Sequence, residues 1–387
     1  MKMFRMNASF LLLSSLISAT YAIDVIMNDM VEWVLSEGGT FNDKLEIRKF
    51  DPTDPNSYLG VFAKEDIGAQ ESLMRIPKSC YIEIFDEEKG YNGNSEDKEG
   101  ESDFHYHQNI CTLGQKLMEE MKLGDKSKFA PYVAYLKTQN PGQLPVNWSE
   151  PGKNLLRKAF RPGSDVVDWI DNYYMKDISE TSCINDDPFE IHMIEMTIQR
   201  CFDTALIPIW DMVNHDNGRI NTENSSMYDK DGLKVRSSRP IKSGEEIFAT
   251  YDKCVDCEDI SDEEGTPEIL RDFGFVESYP HRWIFEDTNE LDADIWFEIK
   301  QDDKNETSVE WWFDEATGAH EVPDLKELLF LSKELNRVTE VGKALNMTDA
   351  AYTGDMPMRE WYMISQYQKA AEQALRLALR DADRVNP

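Results

Sequence analysis

Leu206-Ile207-Pro208-Ile209-Trp210-Asp211-Met212-Val213-Asn214-His215 is the stretch on which the reading of the chain turns. An Asn-His pair alone usually marks only a turn. Here Pro208 and Asp211 precede it, and two further pieces follow downstream. The first is Gly244-Glu245-Glu246-Ile247-Phe248-Ala249-Thr250-Tyr251, read as a strand ending in a tyrosine. The second is Leu270-Arg271-Asp272-Phe273-Gly274-Phe275-Val276, read as the segment that closes the core. Each piece alone is a weak signal, and their order and spacing make the set specific.

Between these pieces, Ser225 to Tyr228 and Leu233 to Ser237 read as paired strands about the turn Asp229-Lys230-Asp231-Gly232. Upstream, Asp24 to Ser36 places Ile26, Met30, Trp33 and Val34 at helical spacing and stops at Gly38-Gly39. Strands are expected at Leu45 to Phe50, Leu59 to Ala63, Ser72 to Pro77 and Tyr81 to Phe85. Helices are expected at Asn109 to Lys122, Val166 to Met175 and Pro188 to Cys201. Downstream, Leu325, Leu328, Leu329, Leu335, Val338, Val341 and Leu345 trace one helical face, and a second helix runs from about Glu360 to Ala382.

The first 22 residues stand apart: Lys2 and Arg5, a short apolar run from Phe10 to Ile17, then Thr20-Tyr21-Ala22. That is the layout of a signal peptide, and it predicts entry to the secretory pathway, to secretion or an organelle lumen. The run is too short to cross a bilayer, and no later segment is apolar enough, so no transmembrane segment is expected. Asn147, Asn224, Asn305 and Asn346 each open a glycosylation sequon, which accords with a glycoprotein. Cys254-Val255-Asp256-Cys257 invites three readings. A zinc site needs two more ligands and none is evident. A redox pair needs positive charge nearby, whereas Asp252, Asp256, Glu258 and Asp259 surround it. A local disulfide between Cys254 and Cys257 is therefore expected. His105 and His107 have metal-like spacing that is usually incidental, and no metal site is predicted.

Net charge is -33, from 74 acidic and 41 basic side chains. Such a field repels phosphate backbones, so nucleic-acid binding is disfavoured, while a basic protein or peptide partner is permitted. Solubility is the commoner reason for such acidity. The chain is expected as a monomer.

The three pieces together resemble the SET-domain methyltransferases, in the branch of the Rubisco large-subunit lysine methyltransferase and the actin histidine methyltransferase. Upstream, Trp33 to Gly39, Tyr58-Leu59-Gly60-Val61-Phe62-Ala63, Ser127 to Leu136 and Pro145 to Trp148 continue the likeness. The chain departs from the family pattern at Tyr58, where a glycine is usual, and at Phe273, where the lysine enzymes often carry a second tyrosine. A tyrosine at 58 would strain that turn or fill part of a cofactor pocket. The resemblance implies an α+β SET-type fold of short β-sheets with a helical insert, followed by an all-helical C-terminal domain. It places the SET domain at residues 23–285, the insert at about 104–200, and a substrate-binding-like domain at 286–387.

The resemblance also implies S-adenosylmethionine as cofactor and methyl transfer to a side-chain nitrogen, lysine foremost, with histidine as another acceptor. Tyr251 matches the active-site tyrosine. Gly60, Phe62, Arg200, Asp211, Asn214, His215 and Phe275 match cofactor-binding positions. Arg200 would hold a cofactor carboxylate or a structural salt bridge, and Asp211 would lie near the cofactor or hold the local chain crossing together. Phe275 would stack on adenine. The alternative from another class is a secreted or luminal SET-fold binding module without catalysis.

Overall fold

The computed structural model describes residues 23–51, 53–54, 57–84, 101–139, 144–160, 166–175, 183–251, 265–285, 295–302, 304–311, 313–314, 319–320, 323–349 and 356–385. Residues 1–22, read above as a signal peptide, Cys254, Cys257 and the side chains of His105 and Asn346 lie outside what is described. The helices are α1 (residues 23–36), α2 (Glu101–Leu123), α3 (Ala130–Leu136), α4 (Glu150–Ala159), α5 (Trp169–Tyr173), α6 (Pro188–Arg200), α7 (Thr266–Phe273), α8 (Leu325–Asp349) and α9 (Met358–Val385). The strands are β1 (Thr40–Phe41), β2 (Leu45–Lys49), β3 (Leu59–Ala63), β4 (Ser72–Ile76), β5 (Ile82–Glu83), β6 (Cys201–Phe202), β7 (Ala205–Leu206), β8 (Asn214–His215), β9 (Thr222–Asn224), β10 (Leu233–Ser237), β11 (Phe248–Ala249), β12 (His281–Phe285), β13 (Ile295–Gln301), β14 (Thr307–Trp311), β15 (Phe313–Asp314) and β16 (Ala319–His320). Among the described residues no helix is long and apolar enough to cross a membrane.

By internal contacts the chain divides into two units, the first comprising Met1–Asn140, Glu180–His215 and Arg219–Ala249. Its largest sheet has the order β1-β4-β10-β9, all antiparallel. Leu233, Val235 and Ser237 of β10 are buried and Lys234 and Arg236 exposed, the period of two that a one-sided strand requires. β2 pairs with β3, β5-β7-β6 forms a third sheet, and β8 pairs in parallel with β11. α6 begins where its sequence says it should. Asp187 accepts from the Phe189 N–H at 2.7 Å, with Pro188 at the first helical position. A disulfide, Cys111–Cys183, ties α2 to the segment entering α6, with Cα atoms 5.8 Å apart. Cysteine spacing gave no hint of that pairing.

The second unit comprises Pro141–Ser179, Asp216–Gly218 and Thr250–Pro387. Its core joins Trp283, Phe285, Phe297, Trp311, Tyr367 and Leu375 from the antiparallel sheet β12-β13-β14 and from α9. The C-terminal third therefore carries strands as well as helices. Ile295, Phe297 and Ile299 alternate with the less buried Trp296, Glu298 and Lys300, a strand period that the helical reading of this region passed over. The segment 266–273 is a helix, started by Glu268 accepting from Gly265 N at 3.0 Å and stopped by Gly274 at φ 77°.

α8 keeps its expected face at Leu328, Leu335, Val338, Val341 and Leu345 and departs from it at its N-terminal end. Leu325 and Leu329 are 75% and 64% exposed, while Phe330, Leu331, Val338, Val341 and Leu345 are buried. Glu334 occupies the buried row, with 3% exposure, because Arg337 pairs with it. The same Arg337 donates to the carbonyls of Lys158, Ala159 and Phe160 at 2.7, 2.6 and 2.6 Å, satisfying the C-terminal end of α4. At the other end of α4, Glu360 accepts from Ser149 N at 2.9 Å and Ser149 Oγ at 2.5 Å. α8 and α9 thus hold α4 by both termini.

Candidate functional site

In the first unit, β3, β8 and the strand leading into β11 bring Gly60, Phe62, Asn214 and Glu246 together. Phe62 bridges to Glu246, and Phe248 lies opposite Asn214 across the parallel pair. Glu246 is buried at 6% exposure, and its Oε1 accepts from Asn214 Nδ2 at 2.7 Å. The same Nδ2 donates to Leu59 O at 3.0 Å. Tyr58 donates its hydroxyl to Glu246 Oε2 at 3.2 Å. Burial pushes the Glu246 carboxyl above its ordinary pKa, with Asn214, Tyr58 and the cations of Arg219 and Arg48 pulling the other way.

Gly60 is required by space. A Cβ there would lie 2.4 Å from Glu246 Oε1 and 2.9 Å from Asn214 Nδ2. The strand that carries Glu246 is pinned by the fully buried Asn221. Its Nδ2 donates to Glu246 O and its Oδ1 accepts from Phe248 N, both at 2.8 Å. Arg48 lies 3.6 Å above the Phe62 ring. Tyr58 does not fill the space behind Gly60. Its ring is 49% exposed and stacks on Phe50 with centroids 5.3 Å apart.

A second cluster of the same unit surrounds Asp211, whose side chain is fully buried. Asp211 Oδ2 accepts from Arg200 Nη1 at 3.1 Å and from Tyr132 OH at 3.0 Å. Arg200 also donates to Tyr135 OH at 2.8 Å and to Gln139 Oε1 at 2.6 Å. Burial raises the Asp211 carboxyl pKa, opposed first by Arg200. Burial also holds the Tyr132 phenol well above its usual range. Asp211 Oδ1 is buried and has no hydrogen-bond partner among the described residues. Ile209, two residues earlier, takes φ 68° and ψ -44°, a conformation that a β-branched residue rarely adopts. His215, half-buried, sits opposite Ala249 in the parallel pair.

In the second unit, the Tyr251 ring lies 4.7 Å from Phe273, tilted by 40°, and Phe273 lies 6.5 Å from Phe275. The two residues singled out in the closing segment therefore share one aromatic row with Tyr251. Among the described residues no group of three or more His, Cys, Asp and Glu side chains converges to hold a metal. Asn147 and Asn305 are exposed, and Asn224 is half-buried with its Nδ2 donating to Ser225 O at 3.2 Å.

Five residues of these clusters were not singled out as site residues in the sequence: Glu246, Tyr132, Tyr135, Gln139 and Asn221. Glu246, Tyr132 and Tyr135 lie inside quoted motifs, so position was legible and role was not. Gln139 and Asn221 carry no local signal.

A family model described as SET domain matches residues 59–252. The chain is 25% identical over 298 residues to the fructose-bisphosphate aldolase-lysine N-methyltransferase, chloroplastic, of Arabidopsis thaliana, covering 67% of this chain and 55% of that protein. It is 25% identical over 269 residues to the ribulose-1,5 bisphosphate carboxylase/oxygenase large subunit N-methyltransferase, chloroplastic, of Nicotiana tabacum, covering 60% and 48%. The chain thus spans about half the length of these curated relatives. Among solved structures, Rubisco LSMT bound to AdoMet aligns with TM-score 0.50 and 13% identity over 93% of this chain and 92% of that one. Rubisco LSMT bound to sinefungin and monomethyllysine aligns with TM-score 0.51 over the same shares, again at 13% identity. At that identity the likeness concerns the fold.

Proposed function

The chain belongs to the SET-domain family, and on that premise we propose that it is an S-adenosylmethionine-dependent protein-lysine N-methyltransferase. The observation that carries the reading is the cradle at Gly60, where a Cβ-less strand runs against the paired side chains of Asn214 and Glu246. The space at Gly60 is taken by Glu246 and Asn214 themselves, and what they offer a nucleoside cofactor is an amide of fixed direction. The buried, unpartnered Asp211 Oδ1 adds an acceptor that fits a hydroxyl or ammonium donor.

In this reading Gly60, Phe62, Asp211, Asn214, His215 and Phe275 hold the cofactor. Arg200, already donating to Asp211, Tyr135 and Gln139, contributes mainly by fixing Asp211. When bound, the cofactor supplies an electrophilic methyl group on a sulfonium. Tyr251 is the catalytic residue: its hydroxyl orients the uncharged acceptor nitrogen, whose proton must have left for solvent beforehand. Phe273 packs beside the Tyr251 ring, and Phe275 packs on Phe273. The relative named an aldolase-lysine N-methyltransferase favours lysine over histidine as acceptor. The net charge of -33 favours a basic segment around that lysine. Substrate binding falls to the C-terminal region 286–387, with residues 23–285 as the SET domain, acting as a monomer. Tyr58, which would have favoured a non-catalytic binding module had it filled the cradle, lies half exposed against Phe50.

We also propose entry to the secretory pathway on residues 1–22. The disulfide Cys111–Cys183 and the exposed sequon residues Asn147 and Asn305 support an oxidising, glycosylating compartment. The curated relatives are named chloroplastic, so an organelle address of another kind is the competing outcome. N-terminal sequencing and glycosidase treatment of the native protein decide between the two addresses.

The activity is tested by calorimetric titration with S-adenosylhomocysteine and by methyl transfer to lysine-containing basic peptides. Binding together with transfer that Tyr251→Phe abolishes is the expected result. A protein that does not bind the nucleoside at millimolar concentration is not this enzyme.

A further inference from the structure

We infer that Tyr58 and Glu246 are positioning residues: they form a brace that fixes the Asn214 carboxamide so that its oxygen is the only part left to serve a ligand. The inference rests on the cofactor reading above and adds to it two residues that touch no reacting atom.

A primary carboxamide has two N–H donors and one oxygen acceptor. Both donors of Asn214 are directed at protein acceptors, Leu59 O at 3.0 Å and Glu246 Oε1 at 2.7 Å. Rotating the amide by half a turn would set its oxygen against two acceptor oxygens, so the orientation is forced rather than chosen. The remaining capacity of Asn214 is acceptor only, which selects an N–H or O–H group on whatever binds beside it.

Glu246 keeps that direction only if its own carboxylate does not turn. Oε1 is held by Asn214 and by the close approach of Gly60, and Oε2 is held by the Tyr58 hydroxyl at 3.2 Å. Tyr58 is in turn held by its stack on Phe50, with rings 18° from parallel. Asn221 fixes the backbone from which Glu246 springs. A glycine at position 58, as the family pattern has it, would offer Oε2 no such donor. The departure from the pattern at Tyr58 therefore brings a hydroxyl to a carboxylate that would otherwise be held on one oxygen.

Two measurements test the brace, one without cofactor and one with it. In 15N-labelled protein the Asn214 side-chain amide should exchange slowly with solvent. Glu246→Gln should speed that exchange about tenfold and Tyr58→Phe about threefold, one hydrogen bond being lost or weakened in each. By calorimetry, Tyr58→Phe should weaken S-adenosylhomocysteine binding about fivefold. In a Glu246→Leu background the same change should do less than about twofold, because Tyr58 acts through Glu246. Phenylalanine keeps the stack on Phe50, and thermal unfolding checks that each variant is folded. Asn214 amide exchange that neither Glu246→Gln nor Tyr58→Phe changes, where the wild type binds the nucleoside, overturns the brace alone. Equal effects of Tyr58→Phe with and without Glu246 overturn it too. A wild type that fails to bind the nucleoside overturns both the brace's purpose and the methyltransferase reading.

Discussion

Replacing Gly60 with alanine is the perturbation whose outcome the geometry fixes most tightly. Gly60 is not among the positive-φ glycines, so its backbone is open to any residue. Alanine in a strand would on that count gain about 0.5–1 kcal/mol over glycine, through the unfolded chain. The new methyl carbon, however, would stand 2.4 Å from Glu246 Oε1, where ordinary contact begins at 3.4 Å. The oxygen must retreat by about 1 Å, which takes the 2.7 Å bond from Asn214 beyond hydrogen-bonding range. Losing a hydrogen bond to a buried charge removes about 1.5–3 kcal/mol, and loosening the Tyr58 contact a further 0.5 kcal/mol or so. The net loss is then about 1–3 kcal/mol of stability in the first unit. Guanidinium unfolding with native-state hydrogen exchange at the β2–β3 amides measures it. Adding Glu246→Ala removes the nearest obstructing oxygen and leaves Asn214 Nδ2 at 2.9 Å, so in that background Gly60→Ala should cost clearly less than it does alone. A single Gly60→Ala variant as stable as the parent refutes the close-approach argument, and with it the reason for a glycine in the cradle.

Arg337→Met should destabilise the second unit by about 3–5 kcal/mol, because it strips three carbonyl caps and leaves Glu334 buried without a partner. Adding Glu334→Leu should recover a large part of that in a thermal melt, and no recovery would mean that the caps alone matter. Reducing Cys111–Cys183, or replacing both with serine, should lower stability by about 4 kcal/mol. That follows from the 72-residue separation the bond closes, and urea unfolding with and without reductant reads it. Glu246 is held above its ordinary pKa, so the folded state keeps its proton to higher pH than the unfolded chain does. Its contribution to stability must fall as pH rises from about 4.3 through that raised value, and Glu246→Gln should flatten the melting temperature across that window. Glu71 runs the other way: Lys44 beside it lowers its pKa from 4.5 to about 2, so its contribution is lost as pH falls through that range.

Much of the first unit was legible in the chain because its signals are local. β3, β10 and α6 lie where the chain reads as strand, strand and helix, with alternation along β10 and the Pro188 start of α6. The cradle was half legible. Gly60 and Asn214 were singled out from the family pattern, whereas Glu246 became a site residue only when a strand 188 residues away in sequence from Tyr58 folded against it. The disulfide was not legible, since pairing depends on where α2 and the start of α6 meet, and spacing in the chain says nothing of that. The N-terminal end of α8, where Leu325 and Leu329 are exposed, was misread for a related reason. A leucine count ignores that Glu334 can enter a core once Arg337 neutralises it, and the buried row then runs through Leu331, Glu334, Val338, Val341 and Leu345.

Ile209 has a consequence for how the Asn-His segment assembles. Holding a β-branched residue at φ 68° stores about 1–3 kcal/mol, which the packing around the fully buried Ile209 must outweigh. The nascent chain has no reason to bend there until walls on all sides leave it no other shape. The segment should therefore set last within its unit, like a keystone dropped into a finished arch, and loosening any wall would let it spring back.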